Sequence, residues 1–326
     1  MSRRKSPAAE AQARRLTLHA AAPPSARARQ LAGLLAGGEY KIETGGSVGA
    51  EDIALWTDGT GPERPLPPTA LSVVDLHGRV EQVAPGCRLL LAGSEAERGY
   101  WSRVLEAAGR TVPIAVVRFT PKVAKRGGPR RFDALWIVQG EHPSDATLDM
   151  VRRAAAWAEL RGIRAGVADG TGPAGLLGKQ LAGPAPALGA GVVVFDARAG
   201  DAGELVATPA ALVEAVASGA PVLGCAETAM LASLRARGAG SLLEDVETGL
   251  DRFMAQPQAA LEAMSEAAMA FARDWCDEGE AKAALLGAIE RAVAERQRVI
   301  AAWMQPCPGQ GQGGHVLVIS DEALNL

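Results

Sequence analysis

The sequence predicts an α/β protein with two domains, each built on a parallel sheet that helices cover. The chain has 326 residues, and at roughly 100–200 residues per domain this length suggests two domains. After residue 70, short apolar runs alternate with amphipathic stretches of helical periodicity. The apolar runs are rich in Val, Ile and Leu and are mostly continuous, which is typical of strands buried on both faces.

Nine of these runs are predicted strands, and the helices between them are predicted from residues at their ends. Ser94 is a candidate N-cap for a helix that Gly109 ends, and Thr208 with Pro209 opens a helix over 209–218 that ends at Gly219. Strand–helix–strand alternation favours a parallel sheet with right-handed crossovers. The predicted strands are 71–76, 88–92, 113–119, 133–138, 163–168, 191–195, 203–207, 221–224 and 240–243.

The remaining segments define the predicted domain plan. Ile53–Trp56 is a further candidate strand in a region otherwise rich in Gly and Pro, and the chain after 244 is mostly helical. A Pro/Gly-punctuated basic segment with Lys122, Lys125, Arg126, Arg130 and Arg131 is predicted to be the interdomain linker. The plan is a basic flexible arm at 1–38, an N-terminal α/β domain at 39–120, a linker at 121–132, a C-terminal α/β domain at 133–278, a helix at 279–305 and a flexible tail at 306–326.

Charge is unevenly distributed along the chain. Residues 1–38 carry a net charge of +6 and the remainder −9, which together give the formal −3. The arm lacks the apolar run of a secretory signal, so we expect a solvated tail, with attraction to an anionic partner as the second interpretation. The acidic body and the scarcity of aromatic residues, 4% of the chain, argue against nucleic acid as the substrate.

Composition narrows the function classes further. No apolar run approaches the ~20 residues of a membrane-spanning helix, so no transmembrane segment is predicted. Cys87, Cys225, Cys276 and Cys307 are widely spaced and form no zinc motif, so no metal site is predicted. Without an export signal, the reducing cytoplasm is the expected location.

A glycine-rich turn follows the predicted strand 163–168. Gly170, Gly172 and Gly175 would let the backbone approach a phosphate at the start of a helix, and Asp196 ends the next predicted strand, 26 residues after Gly170. In a dinucleotide-binding fold such an acid binds a ribose hydroxyl. Three interpretations stay open: a plain βα turn, a contact with a nucleotide phosphate or sugar, and an NAD(P) or FAD site.

The segment 208–224 is more specific, because it reads TPAALVEAVASGAPVLG. It resembles the donor-binding segment of glycosyltransferases with the two-Rossmann (GT-B) architecture, in which a helix carrying Leu-Glu-Ala-Met-Ala-x-Gly precedes a Pro-Val strand. The strand at 191–195, the stretch 238–248 and the glycine-rich turn also match this family, so the resemblance covers about residues 133–278. The alternative for this segment is a helix that packs on a parallel sheet and binds nothing.

The resemblance implies two Rossmann-like domains on either side of a cleft. Because 326 residues are few for two complete domains of this kind, we expect the N-terminal one to be trimmed. It implies a nucleotide diphosphate sugar as donor, a hydroxyl group as acceptor and no resident cofactor. Glu214 holds the position whose carboxylate binds the donor ribose, and the glycine turn would lie near a phosphate or the sugar. Lys179 would offset the diphosphate charge, and Thr208 is a further candidate for donor binding. Val206 stands where many retaining members have a second acidic residue, and a relative without catalytic activity is an alternative.

A candidate base lies in the predicted N-terminal domain. Asp75 and His77 come at the end of the predicted strand 71–76, and the carboxyl ends of such strands face the ligand. His77, oriented by Asp75, could take the proton from an acceptor hydroxyl. A surface histidine without a function is the alternative.

Three functions are therefore consistent with the sequence. The first is transfer of a sugar from a nucleotide diphosphate sugar to a hydroxyl acceptor. The second is an oxidoreductase that binds NAD(P) or FAD through the glycine turn and Asp196. The third is an assembly or adaptor protein that keeps the fold without the chemistry.

Overall fold

The computed structural model describes residues 14–20, 26–36, 40–45, 47–49, 52–57, 66–67, 69–76, 83, 86–121, 132–138, 145–168, 190–197 and 206–303. The chain divides into two compact units. The N-terminal unit combines Met1–Val117 with Gly279–Leu326, and the C-terminal unit is Arg118–Glu278. Each unit contains one parallel sheet, as the α/β prediction requires.

The described ranges hold eleven strands and eight helices. The strands are β1 (Arg14–His19), β2 (Tyr40–Thr44), β3 (Ile53–Trp56), β4 (Leu71–Asp75), β5 (Leu89–Ala92), β6 (Ile114–Val116), β7 (Phe132–Val138), β8 (Ala165–Ala168), β9 (Ala190–Asp196), β10 (Val222–Gly224) and β11 (Gly240–Leu242). The helices are α1 (Ala26–Leu35), α2 (Glu95–Ala107), α3 (Asp145–Leu160), α4 (Ala210–Ala217), α5 (Ala229–Ala236), α6 (Val246–Met254), α7 (Gln258–Trp275) and α8 (Glu278–Trp303).

The N-terminal unit is built on a six-stranded sheet in the order β2-β1-β3-β4-β5-β6. One face carries Leu16, Leu18 and their neighbours on adjacent strands, and it packs against α1 and against α8 from the far end of the sequence. The apolar residues of α8 recur at helical spacing, so one stripe of the helix enters this core. They are Ala281, Leu285, Ala288, Ile289 and Val293.

The prediction of a flexible arm over residues 1–38 is wrong for its described part. Strand β1 lies inside the sheet, hydrogen-bonded to β2 on one side and to β3 on the other, and α1 follows it. The many arginines suggested a solvated tail, but alternating Leu16 and Leu18 and the leucines of α1 are buried in the core. Arg27, one of the charges assigned to the arm, is itself buried. The partner expected for the arm stays a prediction.

The C-terminal unit has a five-stranded sheet in the order β11-β10-β9-β7-β8. Strands β7 and β9 are the longest and pair along most of their length, from Phe132↔Ala190 to Val138↔Asp196. Helices α3 and α6 cover one face, where Trp136, Val194 and Leu250 are buried together. This arrangement fixes the ends of β7 and β9 side by side at the carboxyl edge of the sheet.

Eight of the nine strands predicted after residue 70 are present. The ninth, 203–207, is not a strand in its described part, because Val206 lies in a turn and Ala207 has no regular structure. The predicted N-cap at Ser94 is confirmed, because its side chain accepts a hydrogen bond from the Glu97 amide. The predicted helix end at Gly219 is also confirmed, and this residue has a φ of +87°. Thr208 is not a cap, because α4 begins after Pro209.

No helix in the described ranges is long and apolar enough to cross a membrane. Among the described residues, Cys87, Cys225 and Cys276 form no disulfide.

We predict that Gly191→Ala destabilises the C-terminal unit by about 1–3 kcal/mol, because the pairing of β7 with β9 leaves no room for a side chain there. A Cβ at Gly191 would lie 2.5 Å from the backbone oxygen of Asp133, and backbone cannot move aside as a flexible side chain does. The measurement is chemical denaturation. The matched control is Gly33→Ala in α1, where a Cβ meets nothing within 4 Å and the free energy of unfolding is expected to stay level or rise. Equal stability of the two variants would contradict this account.

Candidate functional site

Both sheets place their first strand between the second and the third, in the orders β2-β1-β3 and β8-β7-β9. Chain connections therefore leave the sheet in opposite directions from β1 and β3 in one unit and from β7 and β9 in the other. Open parallel sheets bind ligands outside the carboxyl ends of their strands at such a switch point. The chain has two candidate sites of this kind, one in each unit.

In the C-terminal unit the switch point lies between Val138, at the end of β7, and Asp196, at the end of β9. Asp196 is 1% exposed. Helix α4 follows on the chain and begins after Pro209, which supplies no side-chain cap. The first amides of a helix have no acceptor within the helix, so those of Ala210 and Ala211 can donate to an anion.

Glu214 shares a stripe of α4 with this helix start. Ala210, Glu214 and Ser218 are half-buried and four residues apart, so they lie one above the other on one face. The opposite side of the helix is buried against the sheet and α7. The Cα atom of Glu214 therefore lies about one helical turn, ~5.4 Å along the axis, beyond the start of α4, whose first amides can bind an anion.

In the N-terminal unit the switch point lies between the ends of β1 and β3. His19 ends β1 opposite Trp56 of β3, and their rings stack with centroids 4.8 Å apart and planes 7° apart. The next residue, Thr57, donates its backbone N–H to the His19 carbonyl at 3.0 Å. Burial lowers the pKa of His19 below its ordinary value of 6.5, so the imidazole is neutral at pH 7 and can accept a proton.

A buried ion pair lies at the same edge of the sheet. Arg27 of α1 donates from Nη2 to Oδ1 of Asp75 at 2.9 Å and from Nε to Oδ2 at 3.2 Å, and both residues are 1% exposed. The hydroxyl of Thr57 donates to Oδ2 of Asp75 at 3.2 Å. The ends of β3 and β4 are thus tied to α1 through one carboxylate.

Glu97 extends this network to the end of β5. Its carboxyl group accepts a hydrogen bond from the Gly93 amide, and the residue is 2% exposed. Burial raises the pKa of Glu97 to about 8, and the nearby charge of Asp75 adds to the increase. At neutral pH Glu97 is therefore protonated, and the single positive charge of Arg27 is balanced by Asp75 alone.

These positions change the assignment of the predicted base. The Asp75 carboxylate accepts hydrogen bonds from Arg27 and Thr57, which leaves it little capacity to accept one directly from His77. His77 lies outside the described residues, so its role stays a prediction. Sequence reasoning missed His19 because it lay in the segment assigned to the arm. The signal was present: RLTLH alternates apolar and polar residues and ends in histidine, as a strand leading to a site would.

The other predicted donor residues are only partly described. Glu214 and Thr208 are described, and Thr208 is buried two residues before α4. Gly170, Gly172, Gly175 and Lys179 lie outside the described residues, and their roles stay predictions. Among the described residues of the predicted donor site, Glu214 lies about one helical turn from the start of α4.

The dinucleotide hypothesis does not fit the order of the strands. It requires the strand before the glycine turn to lie beside the strand that ends in Asp196. Here the first is β8 and the second is β9, and β7 lies between them. With strands about 4.8 Å apart, the ends of β8 and β9 are separated by about 9.6 Å, and in the described sheet β8 is an edge strand rather than one of the two strands at the switch point.

No protein-family model matches the sequence, and neither does any curated protein. AviGT4, a glycosyltransferase involved in avilamycin A biosynthesis, is similar in fold, with a TM-score of 0.51 and 18% identity over 88% of this chain and 98% of that chain. Sucrose-phosphate synthase from Thermosynechococcus elongatus has a TM-score of 0.52 and 10% identity over 88% of this chain and 100% of that chain.

A chain of the GtfA/B complex also matches, with a TM-score of 0.48 and 13% identity over 74% of this chain. The present chain covers 57% of that chain, a little over half of its length. Identities this low establish the fold alone. The chain has the two-Rossmann, GT-B fold that the sequence resemblance implies.

We predict that Arg27→Met lowers the free energy of unfolding by about 3–5 kcal/mol, because it leaves the buried Asp75 carboxylate without its positive partner. Chemical denaturation measures the change. Arg29→Met is the matched control, since Arg29 lies two residues away on α1 and is exposed. We expect a loss below about 1 kcal/mol for the control. A similarly small decrease in the free energy of unfolding for both variants would show that the ion pair does not stabilise the N-terminal unit.

Glu97 also gives the stability a pH dependence. Its pKa is about 8 in the folded chain and about 4.5 as its ordinary value, so between these values the folded state holds a proton that the unfolded state has released. This group therefore makes stability fall as pH rises from about 4.5 to about 8, by up to about 1.4 kcal/mol per pH unit.

We predict that Glu97→Gln flattens this fall, whereas Glu95→Gln at the same helix start leaves it unchanged, because Glu95 is exposed. Denaturation midpoints measured from pH 5 to pH 8 for the wild type and both variants provide the comparison. A wild-type curve and a Glu97→Gln curve that run parallel would refute the buried, protonated state of Glu97.

Proposed function

We propose that the chain is a glycosyltransferase that moves a sugar from a nucleotide diphosphate sugar to a hydroxyl acceptor. The observation that carries the proposal is the placement of Glu214 on the same stripe of α4 as the uncapped start of that helix. A carboxylate that accepts from a ribose diol and amides that bind a diphosphate are the two functions that a nucleotide donor requires. The GT-B fold supports this assignment over other nucleotide-binding proteins.

The donor would bind at the carboxyl edge of the C-terminal sheet. Glu214 would accept hydrogen bonds from the ribose, and the amides of Ala210 and Ala211 would donate to the diphosphate. These amides would also stabilise the charge that the diphosphate gains as the leaving group when its bond to the sugar breaks. Lys179 and the turn at Gly170, Gly172 and Gly175 are proposed as further phosphate contacts. Thr208 would line the approach to α4. The nucleotide sugar is a substrate in this scheme, and no resident cofactor or metal ion is invoked.

The acceptor would bind at the carboxyl edge of the N-terminal sheet. His19 is neutral at pH 7 and ends a strand at the switch point, so we assign it the role of base for the acceptor hydroxyl. His77, two residues beyond Asp75, is kept as the second candidate. Asp75 is assigned to holding the sheet edge rather than to proton transfer.

Nucleotide binding tests the donor assignment directly. We predict that calorimetric titration with UDP, GDP and CDP shows saturable binding of at least one of them. Glu214→Ala should weaken that binding about 10- to 100-fold, because truncation removes charge-assisted hydrogen bonds worth about 1.5–3 kcal/mol. The control is Glu262→Ala on the exposed face of α7, which should bind as the wild type does.

Two results would overturn the proposal. Binding of NAD(H) or FAD with no binding of a nucleoside diphosphate would favour the oxidoreductase. Absence of binding for all of these nucleotides would favour an assembly or adaptor protein that retains only the fold. Equal binding by the wild type and Glu214→Ala would remove Glu214 from the site even if a nucleotide binds.

A further inference from the structure

We propose that Thr57, Asp75 and Arg27 are positioning residues that hold the ring of His19 at the switch point of the N-terminal sheet. The inference rests on the proposed role of His19 as base. It adds three residues that touch neither reacting group and act through His19. It also assigns a function to the buried ion pair beyond keeping the unit folded.

A series of hydrogen bonds connects the end of β1 to the buried ion pair. The Thr57 amide donates to the carbonyl oxygen of His19 at 3.0 Å, and the Thr57 hydroxyl donates to Oδ2 of Asp75 at 3.2 Å. Asp75 is held in turn by Nε and Nη2 of Arg27. Arg27 lies on α1, the helix that follows β1 in the sequence, so these contacts connect the ends of β1, β3 and β4 to α1.

Thr57 is the residue on which this series of hydrogen bonds depends. It is fully buried at the point where β3 has ended, and its two donors point to different partners. The amide fixes the backbone of His19, and the hydroxyl fixes the backbone of Thr57 to the charged pair. The preceding residue, Trp56, stacks on the His19 ring, so a shift at Thr57 moves both the carbonyl contact and the stacking surface of the histidine.

A buried charged pair suits this task better than apolar packing. Apolar contacts allow small sliding movements, whereas a guanidinium that holds one carboxylate through two nitrogens defines both distance and orientation. Misplacement of a reacting group by about 1 Å can cost about 100-fold in rate. If the Arg27–Asp75 pair holds His19 in place, it therefore preserves the geometry that proton transfer requires.

Two substitutions at Thr57 separate positioning from packing. Thr57→Val keeps the shape of the side chain and the backbone amide but removes the hydroxyl, and Thr57→Ser keeps the hydroxyl. The full chain with labelled histidine rings is titrated by NMR, and the His19 signal is identified by its loss in His19→Gln. The kcat and KM of sugar transfer are measured across pH, and UDP binding is measured alongside.

We expect Thr57→Val to raise the pKa of His19 toward about 6.5, because a ring that is no longer held becomes more hydrated. We expect kcat to fall about 10- to 100-fold, while UDP binding stays at the wild-type level. The acid limb of the pH profile of kcat should shift by the same amount as the pKa of His19. Thr57→Ser should match the wild type in all of these measurements. If Thr57→Val does not fold, Thr57→Ala replaces it in the same comparison.

A Thr57→Val protein with lowered stability but a wild-type pKa for His19 would overturn the inference, since that is the result of a purely structural role. Equal shifts in the valine and serine variants would also overturn it. The histidine titration needs no substrate. If the wild type binds no nucleoside diphosphate, the proposed function fails, and the titration still decides whether these three residues hold His19.

Discussion

The ion pair between Arg27 and Asp75 is the contact on which the N-terminal unit is organised. Neither charge reaches solvent, so each must be balanced by the other, and this fixes α1 over the end of β4. Thr57 shares the same carboxylate, which brings in the end of β3. Glu97 lies close enough for Asp75 to oppose its ionisation, so the end of β5 carries a neutral acid instead of a second negative charge. Three neighbouring strand ends are thus set by one buried pair.

The two units share a strand order but present different chemistry at the same topological position. The C-terminal edge combines a half-buried carboxylate with uncapped helix amides, a set suited to a ligand that has both hydroxyl and phosphate groups. At the N-terminal edge, the neutral imidazole of His19 stacks on the indole of Trp56. The nearby charges of Arg27 and Asp75 pair with each other. In the proposed function, the C-terminal edge would bind the anionic donor and the N-terminal edge would accept the proton of the acceptor.

Sequence reasoning predicted the part of the fold that follows residue 70 because continuous Val, Ile and Leu runs report buried parallel strands directly. It placed Glu214 on a helix after a strand, which the structure has as α4 after β9. The prediction failed where the charged composition of a segment and the spacing of its apolar residues indicated different structures. Arg14, Arg15 and Arg27 made the first segment seem solvated, although Leu16 and Leu18 alternate as strand residues do. Asp75 could not be separated from a catalytic acid by sequence, because its partner Arg27 lies 48 residues earlier and only the fold brings the two together.

Helix α8 gives the chain an order of assembly. The core of the N-terminal unit includes Leu285, Ile289 and Val293, which are synthesised after every residue of the C-terminal unit. On the ribosome, the C-terminal sheet can therefore acquire its complete core first, while the earlier-made sheet keeps an apolar face uncovered. The unit that is begun first is finished last, and during that interval its exposed face is the part of the chain most in need of protection by a chaperone.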